Sequence, residues 1–242
     1  MCPWFDEHLM QHIPGAAWNP MEDFVVRICM HFGECAKFSD YVVACANAFI
    51  QQAACTPANA KTLFFALEMT GEDKYRQAIQ QVMDVLDAQQ AEASLQAQYE
   101  TLPFRMAYEM KLNRMERVGQ TAMMFRSAHE HAKAAQDASV REKAWFLLGL
   151  TDAIATCSDQ LYEHWRTLVD IYRERLSCML RAAADADAQT VAIILWALLA
   201  GVEMGLIDPE RYLPVACKLL ASLRQNGEAQ AADVLESVFG VK

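Results

Sequence analysis

Three kinds of residue in this chain could do chemistry: its histidines, its cysteines and the carboxylates scattered among them. His129, Glu130 and His131 are consecutive, but a shared ion needs converging ligands. Residues two apart on a helix point to different sides, so the run does not suggest a metal centre. His129 is expected half-buried and His131 in solvent. The eight cysteines (Cys2, Cys29, Cys35, Cys45, Cys55, Cys157, Cys178 and Cys217) include no CxxC pair, and most lie among apolar neighbours. They read as free thiols in a reducing compartment, not as zinc ligands or disulfides. Serines, histidines and aspartates are present, but no GxSxG elbow places them for nucleophilic catalysis. Asp152 and Asp187 are possible pocket acids with ordinary alternatives as caps or on a solvated face. The 13 methionines read as gap-fillers between crowded helices. No motif calls for a cofactor.

The elements that would hold these residues must be helices inside a substantial core. The chain has 242 residues and is 54% apolar, which excludes disorder. Its 31 acidic residues outnumber 21 basic ones, for a net charge of −10. Nucleic acid is therefore excluded as a partner, and an acidic ligand would need a local basic pocket. The longest apolar run, Val191 to Val202, is shorter than the ~20 residues that a bilayer requires, so no membrane span is expected. MCPWFDEHLMQH lacks a basic stretch followed by an apolar one, and a cytoplasmic protein is the expectation.

Residues 1–19 read as irregular, and the whole chain, 1–242, as one all-α domain. Thr56 to Gln90 gives the plan. Thr56 is expected to cap a helix beginning at Pro57, with Leu63, Phe64, Phe65, Ala66, Leu67 and Met69 as its apolar content and Gly71 as its αL stop. A second helix follows, with Tyr75, Ala78, Ile79, Val82, Val85 and Leu86 on one face. Further helices are predicted from Pro20 to Gly33, Phe38 to Ala53, Gln96 to Leu112, Arg114 to Ala134, Val140 to Thr156, Asp159 to Arg181, Thr190 to Met204 (ended by Gly205) and Pro209 to Leu223, with Gly227 separating a short last helix that runs to Phe239. The start of a second helix recurs as Lys37 to Tyr41, Gly71 to Tyr75 and Asp208 to Tyr212. The 34-residue step from Tyr41 to Tyr75 is the tetratricopeptide period, but the other positions of that repeat are absent. Alternation of wholly apolar helices (Val140 to Thr156, Thr190 to Met204) with amphipathic ones suits two concentric rings, an (α/α)6 toroid.

At this level the chain resembles a known family. LFFALEMTGEDKYRQAIQQVMDVL is similar to a hairpin of the unsaturated glucuronyl and rhamnogalacturonyl hydrolases, glycoside hydrolase families 88 and 105. QYETLPFRMAYEM, VREKAWFLLGLTDAI and LLAGVEMGLIDPERYLPVACKLL resemble three further family segments in the same order, together covering about four fifths of the chain. The resemblance implies a six-hairpin toroid with shortened loops and, as ligand, a small saccharide ending in an unsaturated uronic acid. In that family an aspartate protonates C4 of the 4,5-unsaturated sugar and water adds at C5; the acid must stay partly protonated near neutrality. By the same alignment Arg141 and Trp145, four apart on one helix face, and Tyr99 are the substrate-binding positions. An ordinary reading of Arg141 is an ion pair with an acid, and of Trp145 a place in the core.

The chain departs from the family at its chemistry. The position of the catalytic aspartate reads Gln96, and an amide cannot donate that proton. Glu92 and Glu100 are the nearest carboxylates, and Glu100, one turn on and on the same face, is the candidate displaced acid. The second aspartate should fall within Cys55 to Asn59, where no acid occurs. The segment leading into the catalytic helix is shortened to about Ala91 to Ser94, and Glu142, Lys143 and Ala144 replace the glycines and asparagine after the family arginine. The expectation is a glycoside-hydrolase-like protein with a weakened or lost site, or a helical scaffold that binds a protein or a sugar acid on the old pocket face.

Overall fold

The computed structural model describes residues 20–88, 94–134, 138–157 and 161–241. Residues 1–19, the 91–93 stretch with Glu92, and the side chains of Pro20, Met21 and Gln96 lie outside the described residues. Among the described residues the regular elements are all helical: eleven α-helices and one 3-10 turn. The chain divides into two compact units, Met1–Glu92 and Ala93–Lys242.

The first unit holds α1 (Pro20–His31), α2 (Ala36–Gln51), α3 (Ala60–Thr70) and α4 (Asp73–Ala88), each packed on the next. Phe38, Val42, Cys45, Phe49, Leu63, Phe64, Tyr75 and Ile79 form its centre. Tyr75 is fully buried and its hydroxyl donates to Asn47 Oδ1 at 3.0 Å, which ties α4 to α2. Gly71 ends α3 with φ 70°, the left-handed conformation that glycine adopts without strain.

The start of α3 differs from expectation. It begins at Ala60, not Pro57, because Asn59 organises a turn: the Thr56 N–H donates to its Oδ1 at 2.9 Å and its Nδ2 donates to the Ala54 carbonyl at 2.9 Å. Asn59 is itself buried, so its amide has to find such partners. On α4 the expected Val85 is exposed and Met83 takes the core position, while Met69 of α3 is also exposed.

The second unit holds α5 (Leu95–Lys111), α6 (Val118–Ala134), α7 (Val140–Thr156), α8 (Tyr162–Ala182), a 3-10 turn at Ala183–Asp185, α9 (Ala188–Glu203), α10 (Pro209–Gln225) and α11 (Ala229–Phe239). Helix α7 packs against α5, α8 and α9, and α9 against α7, α8, α10 and α11. Surrounded in this way, α7 and α9 can be apolar on nearly every side. Two glycines permit the closest approaches. A Cβ on Gly149 of α7 would lie 2.9 Å from both Tyr99 Cδ2 and the Tyr99 carbonyl oxygen of α5. A Cβ on Gly201 of α9 would fall on the Tyr172 hydroxyl of α8, which donates to the Ala197 carbonyl at 2.8 Å.

Helix α6 starts at Val118, four residues later than expected, because Arg114 and Met115 take φ 54° and 65°, outside the right-handed helical region. Of the methionines, Met83, Met106 and Met179 fill the core as expected, whereas Met115, Met123 and Met124 are exposed.

Candidate functional site

The first turn of α7 carries Arg141, and its second carries Trp145. Ser139 caps the helix: its Oγ accepts from the Glu142 N–H at 3.2 Å, and Glu142 Oε2 accepts from the Ser139 N–H at 2.8 Å. Glu142 thus serves as the returning half of a capping box. The Ser139 backbone N–H and hydroxyl hold its carboxyl below the ordinary range.

Arg141 projects from this exposed turn to Asp187, its Nη2 donating to Oδ1 at 3.1 Å. Asp187 is the N-cap of α9, accepting from the Thr190 N–H at 3.0 Å and the Thr190 hydroxyl at 2.8 Å. Partial burial pushes the Asp187 carboxyl up, but the Thr190 bonds and Arg141 outweigh it and leave it low. The pair bridges the starts of α7 and α9, where a carboxylate also favours the helix dipole.

Trp145 is buried at 7% exposure, and its ring lies 4.9 Å from that of Tyr99 on α5 at an angle of 44°. Tyr99 itself is half-buried. Gly149, one turn beyond Trp145, lets α5 and α7 close over this pair. Two of the expected substrate-binding residues, Tyr99 and Trp145, therefore meet, while Arg141 is engaged with a capping acid. Gln96 lies in the first turn of α5, but its side chain is outside the described residues; Glu100 is half-buried one turn further on.

Two charge clusters were not singled out from the sequence. In the second unit His129 is buried, at 3% exposure, deeper than its expected half-burial, while His131 is exposed. Arg175 of α8 donates from Nη2 to His129 Nδ1 at 3.0 Å and to the His129 carbonyl at 3.2 Å. A guanidinium can only donate, so Nδ1 accepts and the ring proton sits on Nε2, directed at Glu174 Oε2 at 3.0 Å. Lys133 adds an ion pair to Glu174 Oε1 at 3.0 Å; Lys133 first and His129 second hold the Glu174 carboxyl below its ordinary range. Arg175 is buried over the Phe146 ring, 5.9 Å from its centroid, and burial lowers its basicity. Its Nε has no hydrogen-bond partner among the described residues. The sequence signal was available: Arg175 sits three residues after Tyr172 and seven after Leu168, on the apolar stripe of α8.

In the first unit Glu22, Asp23 and Arg27 of α1 are all buried. Asp23 Oδ2 pairs with Arg27 Nε at 2.6 Å, and its Oδ1 pairs with Lys61 at the start of α3. Burial alone would raise the Asp23 carboxyl, but the two cations outweigh it and hold it below the ordinary value. The start of α3 thus supplies a cation, Lys61, to an acid from α1. The nearby thiols of Cys29 and Cys45 are buried; burial pushes Cys45 up to about 12 and Cys29 higher still. Neither is a nucleophile near neutrality.

The seven described cysteines are all free, and Cys35 and Cys217 are exposed instead of buried. Among the described residues no group of three histidine, cysteine or acidic side chains is placed to hold a metal, and no helix is long and apolar enough to cross a membrane. Compared with protein-family models, with curated proteins and with solved structures, the chain matches none.

Proposed function

We propose that this chain is a glycoside-hydrolase-like protein of the unsaturated glucuronyl and rhamnogalacturonyl hydrolase group, with a weakened or lost catalytic site. The observation that carries the reading is the Arg141–Asp187 pair. The cation that the resemblance assigns to a sugar carboxylate is spent on the cap of α9, and the acid position is the amide Gln96. The aromatic platform of Tyr99 and Trp145 persists, but it is closed over by α5 and α7. Glu100 is the remaining carboxylate one turn from Gln96.

The finer architecture we propose is a loop-shortened (α/α)6 toroid. What supports it is the layering of the second unit, where α5, α7 and α9 pack as alternate helices in one row, with α6 and α8 paired beside them. The retained sequence of hairpins and the missing acids point the same way, towards a scaffold that outlived its chemistry.

Absorbance of the conjugated alkene in unsaturated oligouronides is the test. The purified chain leaves it unchanged over hours at a concentration at which a competent hydrolase of the group clears it. Steady loss of absorbance, abolished by Glu100→Gln, would overturn the lost-site reading and make Glu100 the acid. The runner-up, a helical scaffold that binds a protein partner, is favoured by one observation: methionines that face solvent on α6.

A further inference from the structure

The segment from Arg105 to Arg126, which covers the second half of α5, the connector and the first half of α6, is a basic island in an acidic protein. It holds five basic residues (Arg105, Lys111, Arg114, Arg117, Arg126) against two acids, Glu109 and Glu116. Its charge is +3 in a chain of −10, which leaves −13 on the remainder. Glu109 is buried and occupied internally: its carboxylate accepts from Asn113 Nδ2 at 3.0 Å and from the Arg117 N–H at 2.8 Å. Arg114 and Arg126 are exposed and enter no ion pair among the described residues.

The same segment carries Met115, Met123 and Met124, three of the seven large apolar side chains that are exposed among the described residues. Met123 lies on the face of α6 opposite the buried Phe125, and Met124 lies on its flank, one turn before the buried Ala128; both side chains are exposed. Arg114 and Met115 both stand at positive φ in a connector closed by the Met115 N–H to the Glu109 carbonyl at 2.9 Å. Such a backbone persists only where its surroundings over-determine it. The buried Glu109 supplies that constraint and fixes Arg114 and Met115 in an outward position.

Exposed methionines beside unpaired arginines form an adaptable apolar surface with a positive rim. We propose that the connector and the outer face of α6 dock an acidic, amphipathic helical segment of another protein. An anionic membrane fits less well, because α6 spends its wide apolar face on the core and the −13 remainder is repelled by such a surface. Nucleic acid is disfavoured by the same repulsion. The proposal is independent of the sugar-site reading and stands whether or not the chain turns over an unsaturated sugar.

The probe is a fluorescent peptide about five helical turns long, with leucine on one face and glutamate on the other. Its counterpart has lysine for glutamate, and binding of each to the full chain is read by anisotropy. The acidic peptide binds and the basic one does not, and the affinity falls about tenfold when salt is raised from about 50 to 300 mM. Arg114→Glu with Arg126→Glu, and separately Met123→Ser with Met124→Ser, each weaken binding about tenfold or more with helical circular dichroism unchanged. Equal binding of the two peptides, no binding, or no effect of either double variant overturns the proposal. So does binding to phosphatidylserine vesicles, or concentration-dependent self-association, that the same variants abolish in place of peptide binding: the face would then belong to a membrane or to a second copy.

Discussion

At the scale of single residues, the buried groups say most. Asp23 has two cations on one carboxylate in an almost closed environment, where the net worth of the pairs is small but the cost of breaking them is large. Asp23→Asn keeps the shape and removes the charge, leaving Arg27 buried beside a neutral amide; it should lower stability by about 3–5 kcal/mol in urea unfolding at neutral pH. The pH dependence has a definite sign. Because the folded chain holds the Asp23 carboxyl below its ordinary value, the unfolded chain binds that proton more readily. The contribution is fully present above the ordinary carboxylate range, about pH 4, and is lost as the pH falls through the folded value. The acid limb of stability against pH should therefore be shallower in Asp23→Asn than in the parent chain. Asp23 and Arg27 were readable as an i,i+4 pair within the largely apolar helix PMEDFVVRICMH. Lys61 as third member was not, because only the fold brings residue 61 to residue 23.

At the scale of elements, helix ends and close approaches decide the outcome. Helix positions were largely legible from apolar periodicity and from Gly71, Gly205 and Gly227, all of which stand at positive φ. The misplaced starts have local causes in side-chain competition for the backbone. Asn59 holds the turn before α3, and Glu109 holds the connector before α6. Close approach was invisible, because a glycine inside an apolar run has no sequence mark that distinguishes tolerance from need. Gly201 is a needed one. Gly201→Ala places its methyl on the Tyr172 hydroxyl, so α8 and α9 must part or the tyrosine must give up Ala197. A loss of about 2–4 kcal/mol is expected by thermal or urea unfolding. Adding Tyr172→Phe removes the obstructing oxygen, and the double variant should recover part of that loss; strict additivity would show that the two groups do not compete for the same space.

At the scale of the whole molecule, two compact units lie along one chain, each with its own buried centre. The second unit contains the fully apolar α7 and α9 together with the helices that cover them. A chain of Ala93–Lys242 should accordingly retain strong helical circular dichroism and melt cooperatively. A gradual, non-cooperative melt would show that this unit depends on the first. The Tyr99–Trp145 and Arg141–Asp187 contacts lie wholly inside it, so the proposed site can be studied there once folding of that piece is established.

By itself the sequence determined the all-helical class, the succession of hairpins, and the two helices apolar enough to need burial on most sides. These follow from local propensity and from the 3.6-residue period, which any reader of the chain can apply. It also singled out Arg141, Trp145 and Tyr99 as residues to look for. Only the tertiary structure decided what those residues do. It turned Arg141 towards Asp187, set the Trp145 ring at a tilt against Tyr99, buried His129 against Arg175 and left four methionines exposed. Each of these depends on a partner tens of residues away or on which side of a helix its neighbours leave uncovered. Periodicity fixes the face of a residue, but packing chooses what that face meets.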